Sequence, residues 1–180
     1  LHAYWTPAPD LNGLLIALNA AAVDDQGAES SASADALVSV TPVNDAPTAT
    51  NLNSTSSYTE GDASVAISDI VVSDVDVGEI ITATLTLADP MTGALSANDG
   101  ASYDGGSGVW TITGGVATVN TALANLVFNP ATNNDTGTTV NVQIDDGDED
   151  AGGPLLGTID LAVTPVNDAP TATNLNSTSS

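Results

Sequence analysis

The sequence predicts an all-β chain, a two-sheet β-sandwich arranged as a tandem repeat. Three observations carry this reading. Apolar residues alternate with threonine at period 2 in several short runs, the pattern of a half-buried strand. Clusters of Gly, Asn, Asp and Pro separate the runs, as turn chemistry requires. The eighteen residues VTPVNDAPTATNLNSTSS, from Val40 to Ser57, recur without a difference from Val163 to Ser180, an offset of 123.

The offset also works upstream. Trp5 falls on Phe128 and Pro7 on Pro130, and both segments then run to an Asp pair, Asp24-Asp25 and Asp145-Asp146. The second pair needs a two-residue shift, so a small insertion or deletion lies between. The expected organisation is residues 1–47 as the C-terminal part of one repeat, 48–170 as a complete repeat, and 171–180 as the start of the next. A 123-residue unit is a domain rather than a solenoid coil. The first segment is expected to lack its front strands and to expose strand edges.

The elements follow in order. Leu14–Val23 (LLIALNAAAV) has helix propensity, but its counterpart TTVNVQI is strand-like, and the counterpart decides for a strand. NSTSSYT, 53–59, reads as a polar linker. Val65/Ile67 and Ile70/Val72 are short strands. In Ile80–Leu87, Ile81, Ala83, Leu85 and Leu87 share one face and Thr82, Thr84 and Thr86 the other. Trp110 and Ile112 alternate with Val109 and Thr111. Val116, Val119, Leu123 and Leu126 are spaced by three and four, which predicts one short helix over 117–124. Leu126/Phe128, Thr139–Ile144 and Ile159–Val163 complete about seven short strands per repeat, the count of a two-sheet sandwich.

Composition excludes whole classes of function. The 180 residues hold 23 Asp and Glu, no Lys, no Arg and no Cys, with a formal charge of −23 and His2 as the sole histidine. Nucleic-acid binding needs cations against phosphates. A P-loop needs its Lys, and anionic membrane surfaces repel such a chain. Cys-based zinc sites and disulfides cannot form. No Ser-His-Asp triad can be placed on one histidine near the terminus, so no enzyme is expected. Asn53, Asn134 and Asn176 occupy Asn-x-Ser/Thr sequons, for which a plain polar surface is the preferred reading.

The acids cluster beside strands. They occur at Asp24 and Asp25, at Asn44-Asp45, at Glu60 and Asp62, at Asp74, Asp76 and Glu79, at Asp145, Asp146, Asp148, Glu149 and Asp150, and at Asn167-Asp168. Asp and Asn are ordinary turn residues. Oxygens at i and i+2, as in Asp74-x-Asp76, can also converge on a hard cation, and Ca²⁺ takes roughly 6–8 oxygens. Asp146-x-Asp148-x-Asp150 opens like an EF-hand loop, but Ala151 and Gly157 stand where that loop needs Gly and Glu.

The phrases YWTPAPDLNG, SDVDVGE and VTPVNDAPTA resemble the cadherin-like (Ig-like) tandem repeats of giant bacterial surface adhesins. The resemblance implies a Greek-key β-sandwich with Ca²⁺ bound between successive domains. Carried over, Asn44 and Asp45 would be linker ligands, Glu60 an early ligand of the following domain, Asp74 and Asp76 its paired ligands, and Asp24 or Asp25 a contribution from the preceding domain. At the next junction Asp145, Asp146 or Asp148 would join Asn167 and Asp168. The Asp-x-Asn-Asp-Asn linker of animal cadherins is shortened here to Asn-Asp-Ala-Pro, so the number of ions per junction stays open.

The expected function is therefore a structural extender of a secreted or surface-displayed adhesin or fibre. Its partners would be neighbouring repeats, or other copies in a fibre. One alternative is a filament assembled by strand complementation between copies. Another is a glycan-binding module using Trp5, Trp110 or Tyr103. Against the latter, Trp110 shares a strand face with Ile112, and Tyr4–Trp5 aligns with Val127–Phe128, so Trp110 and one of Tyr4 and Trp5 are expected in the core.

Overall fold

The computed structural model describes residues 4–147 and 153–172. The chain is mostly β, with one α-helix among the described residues. It divides into two units: residues up to Asp45 together with Val75–Val77, and the remainder.

The first unit is a single antiparallel hairpin of β1 (Gly13–Val23) and β2 (Glu29–Val40). The helix propensity of the Ala-rich run is overridden by this pairing, as its strand-like counterpart predicts. The strands are long, yet their side chains are almost all exposed, with Leu14 at 70%, Ile16 at 60%, Leu18 at 50% and Leu37 at 56%. Tyr4 and Trp5 are exposed as well. The expectation that one of them is core fails, because no second layer among the described residues of this unit covers them.

The second unit contains β3 (Thr48–Thr50), β4 (Asn53–Thr59), β5 (Val65–Ala66), β6 (Val71–Ser73), β7 (Ile80–Leu87), β8 (Gly93–Leu95), β9 (Ser102–Asp104), β10 (Val109–Gly115), α1 (Val116–Ala124), β11 (Val127–Pro130), β12 (Thr138–Asp145) and β13 (Leu155–Thr164). A six-stranded sheet runs in the order β4-β13-β12-β7-β10-β9, and a three-stranded sheet in the order β5-β11-β8. β3 and β6 form a separate antiparallel pair. All pairings in the large sheet are antiparallel except β13 with β4.

One core joins these sheets, an arrangement consistent with a β-sandwich. β7 turns Ile81, Ala83, Leu85 and Leu87 inward, each at most 1% exposed, and its threonines outward. Leu85 sits opposite Trp110 on β10 and Val142 on β12. Val65, Leu95 and Phe128 close the core from the smaller sheet, and Val119, Ala122 and Leu123 from α1. The indole Nε1 of fully buried Trp110 donates to the Ser96 carbonyl at 2.9 Å, so its polar edge is satisfied. Phe128 meets Tyr58 edge to face at 5.8 Å.

NSTSSYT is a strand rather than a linker. β4 alternates, with Ser56 and Tyr58 buried and the residues between them exposed. Pairing to β13 recruits a sequence with little apolar content. A further side-chain device fixes β6. Asn120 of α1 accepts from the Val72 N–H at 2.8 Å and donates to the Val72 carbonyl at 2.9 Å, behaving as one residue of a neighbouring strand.

The ladders of the two units share a register. Leu15 opposes Val38 and Ile16 opposes Leu37, while 123 positions later Thr138 opposes Leu161 and Thr139 opposes Asp160. A register shift between Ile16 and Leu18 then inserts one residue into β1, part of the insertion that the Asp pairs require.

Two substitutions test the core. Phe128→Ala should cost the second unit roughly 3–5 kcal/mol in denaturant unfolding. Gly157→Ala should cost about 1–3 kcal/mol, because a Cβ there would overlap the Leu52 backbone carbonyl where β13 approaches the start of β4.

Candidate metal sites

Most of the acids sit in turns and at strand ends, where the partners are mostly backbone amides; Asp35 and Asp160 lie within β2 and β13. Asp24 Oδ1 accepts from the N–H groups of Gln26 at 2.9 Å and Ala28 at 2.8 Å, closing the β1–β2 turn. Asp62 accepts from Thr59 N, and Asp89 from Met91 N. Asp145 accepts from Gly147 N at 2.8 Å. Asp104 accepts from Gly106 N and from the Ser107 hydroxyl. Those two hydrogen bonds, the Gly106 amide foremost, hold its carboxyl below the ordinary Asp range.

Within the first unit, Asp45 and Asp76 come together. The Asp45 N–H donates to Asp76 Oδ2 at 2.7 Å. They line a cavity of about 230 Å³ with Pro7, Asp10, Leu11, Asn12, Val40, Thr41, Pro42 and Val43. Three acidic residues, Asp10, Asp45 and Asp76, and one asparagine, Asn12, thus border one concavity. Asp10 and Asn12 were not expected as site residues. The phrase PAPDLNG contained their signal, since Asp10 adopts φ +60° and Gly13 φ +88°, the left-handed turn that Asp, Asn and Gly tolerate. Asn44 is half-buried beside Asp45.

Asp24 and Asp25 are not brought to this cavity. They lie in the turn at the other end of the eleven-residue β1, roughly 30 Å away at about 3.3 Å per residue.

In the second unit, Asp74 and Glu79 flank the approach to β7, while Asp145, opposite Thr82, and Asp146 lie at the matching end of β12. Asp74 and Asp146 are half-buried. These acids share one end of the six-stranded sheet. Glu60 belongs to the opposite end. Its carboxylate accepts from Val166 N at 2.8 Å, and its own N–H donates to the Thr164 carbonyl at 3.0 Å. Glu60 therefore stands with the Asn167-Asp168 segment. The same topology separates Asp145 and Asp146 from Asn167 and Asp168 by the ten-residue length of β13. Asp148 lies outside the described residues, as do Glu149 and Asp150.

Among the described residues, no three or more His, Cys, Asp or Glu side chains already form a group able to hold a metal ion. No helix among them is long and apolar enough to cross a membrane. Of the aromatic candidates for glycan binding, Trp110 is fully buried and Tyr103 half-buried, which leaves Trp5 at 38% exposure. Two sequons have engaged side chains: Asn134 Nδ2 donates to the Tyr58 hydroxyl and the Thr136 carbonyl, and Asn53 Oδ1 accepts from Thr158 N. Asn176 lies outside the described residues. No protein-family model matches the chain, and no curated protein matches it.

Two measurements check these placements. Glu60→Ala should speed amide exchange at Val166 by at least about tenfold, the cost of losing one charge-assisted hydrogen bond, and leave β1 and β2 unchanged. In a carbon-detected pH titration, Asp104 should protonate at lower pH than a free Asp side chain. Its depressed value means the turn's stabilisation is present above the unfolded Asp range and is lost as pH falls through the folded value.

Proposed function

We propose that the protein is a non-catalytic extender repeat of a long secreted or cell-surface adhesin or fibre, of the cadherin-like Greek-key kind, stiffened by Ca²⁺ beside its Val-Asn-Asp-Ala-Pro segments. The observation that carries this reading is the shared register. A sequence offset of 123 residues relates not only identical Val-Asn-Asp-Ala-Pro segments but also the hairpins that precede them. An array of like domains joined by like segments is what a spacer needs, and such an array uses no catalytic centre.

The calcium part of the reading rests on the donor set. The cavity at Asp10, Asn12, Asp45 and Asp76 offers hard oxygen donors and no nitrogen or sulfur ligands, the chemistry that suits Ca²⁺ over transition metals. Small movements of exposed Asp10, Asn12 and Asp45 toward half-buried Asp76, with main-chain carbonyls and water, would complete roughly 6–8 oxygens. The chain has no Lys or Arg to balance these carboxylates, so a divalent cation is the natural source of positive charge. Pro42, Pro47, Pro165 and Pro170 flank the two Asn-Asp pairs and restrict their bending.

Thermal melting of the 180-residue chain at fixed ionic strength tests this. Calcium at about a hundred times its dissociation constant adds roughly 2.7 kcal/mol by linkage, a rise in midpoint on the order of 5–10 °C over chelator for a chain of this size. Asp45→Asn with Asp76→Asn should remove most of that rise. Equal midpoints in calcium and chelator, with stability following monovalent salt alone, would overturn the metal reading.

A further inference from the structure

Among the described residues, the β1–β2 hairpin presents an apolar face that no second layer of its own unit covers. Residues directly opposed in an antiparallel ladder share a face. Leu15 opposes Val38, Leu18 opposes Ala36, and Ala20 opposes Ala34. These three pairs carry no polar side chain, Leu15 is half-buried, and Leu18 is 50% and Val38 37% exposed. The reverse face is mixed: Asn19, Ser33 and Asp35 are tied to one another by the Asn19 amide, and Leu14, Ile16 and Leu37 are exposed beside them. The matching pairs in the second unit are Thr138 with Leu161 and Val140 with Ile159, and there Ile159 is 0% and Leu161 1% exposed. Apolar residues that are core in one hairpin therefore have exposed counterparts in the other. A two-stranded hairpin alone is marginal in water, and a contiguous apolar patch of this kind marks an interaction surface.

The second unit also shows what covers such a hairpin. β12 is flanked by β7 on its outer edge, β13 is flanked by β4, and the smaller sheet and α1 close the face. On the first unit the edge of β1 away from β2 corresponds to the β7 edge of β12, and the edge of β2 away from β1 to the β4 edge of β13. We infer that the β1–β2 hairpin is a docking surface for one kind of partner: a further copy of the segment 46–129. Its β7-type strand would add antiparallel to β1, and its β4-type strand parallel to β2. The residues that specify it are Leu15, Leu18, Ala36 and Val38. The inference rests on the repeat reading above but not on calcium.

The β12–β13 hairpin of a second molecule already occupies that molecule's own cradle with bulkier residues, Val142, Ile144, Ile159 and Leu161 among them. Exchange between two 180-residue chains is therefore disfavoured, and the partner must be supplied as an additional copy.

The test is amide exchange, run in chelator, on the 180-residue chain and on a chain in which a duplicate of residues 46–129 replaces residues 1–6. The junction reproduces the native Asn129–Pro130 step, because Pro7 lies 123 positions before Pro130. The expected result is at least a hundredfold slowing at Leu15, Leu18, Ala36 and Val38 in the extended chain, reversed by Leu18→Asp with Val38→Asp. Unchanged rates there, with β12 and β13 still protected, overturn the inference. So does protection already present in the unextended chain that rises with concentration alongside a dimer mass, which would assign the face to a second hairpin. Should the extended chain fail to fold, a synthetic peptide spanning 78–90 is titrated into the 180-residue chain. Saturable methyl shifts at Leu15 and Leu18, absent with a scrambled peptide, support the inference, and no shift overturns it. None of these outcomes alters the calcium melting test, so the two ideas fail separately.

Discussion

The controlling constraint is charge without a counter-charge. Twenty-three carboxylates share a chain with no Lys and no Arg, so the side-chain ion pairs that usually neutralise acids cannot form. The backbone takes that role. Asp24, Asp62, Asp89, Asp104 and Asp145 each accept from amides within four residues, and Glu60 and Asp76 accept from amides far away in sequence. A carboxylate held by N–H groups is stabilised as an anion and shapes the turn that holds it. The cost is mutual repulsion, which confines the acids to strand ends and solvent. The core of the second unit carries none of them. Divalent ions in the Asp10, Asp45 and Asp76 cavity would relieve the same constraint from outside.

The two hairpins show how little of a β-domain's stability is local. β1–β2 has longer strands than β12–β13 and the same starting register. Its ladder runs the length of both strands with two register shifts, yet most of its apolar residues stay in water. What differs is the second layer. β12 and β13 are stable elements because β7, Trp110 and Phe128 complete a core around them, with burial worth on the order of 25 cal/mol per Å² of apolar surface. Ladder hydrogen bonds, by contrast, largely exchange one partner for another in water.

Legibility from sequence followed the same division. β7 and β12 were readable because burial on one face imposes a strict period of 2 on Ile81 to Leu87 and on Val140 to Ile144. The helix was readable from Val116, Val119 and Leu123, and α1 begins one residue ahead of the expected span. β4 was not readable: Ser54, Ser56 and Tyr58 face inward, but serine carries no apolar signal, and the strand is recruited by its long-range partner β13. β3, β8 and β9, three residues each, are set by pairing rather than by pattern. For the clustered acids, residue type and turn context were enough to place them at strand ends, whereas Asp35 and Asp160 lie within strands. Their grouping was not legible, because it depends on which end of the sheet each strand reaches. The parallel pairing of β4 with β13 carries Glu60 to Val166, and the length of β13 keeps Asp145 away from Asn167. Asp10 entered through a turn conformation that no spacing rule exposes.

The central claim, that calcium supplies the positive charge this chain lacks, is tested most directly by following backbone amide shifts during a calcium titration at constant ionic strength. Site binding should shift Asp10, Asn12, Asp45 and Asp76 together, saturating at one common concentration, while the Asp24 turn at the far end of the hairpin stays still and magnesium at equal strength leaves the cavity residues unmoved. Shifts that spread evenly over every acidic turn and never saturate would mean a diffuse ion atmosphere and would contradict the account.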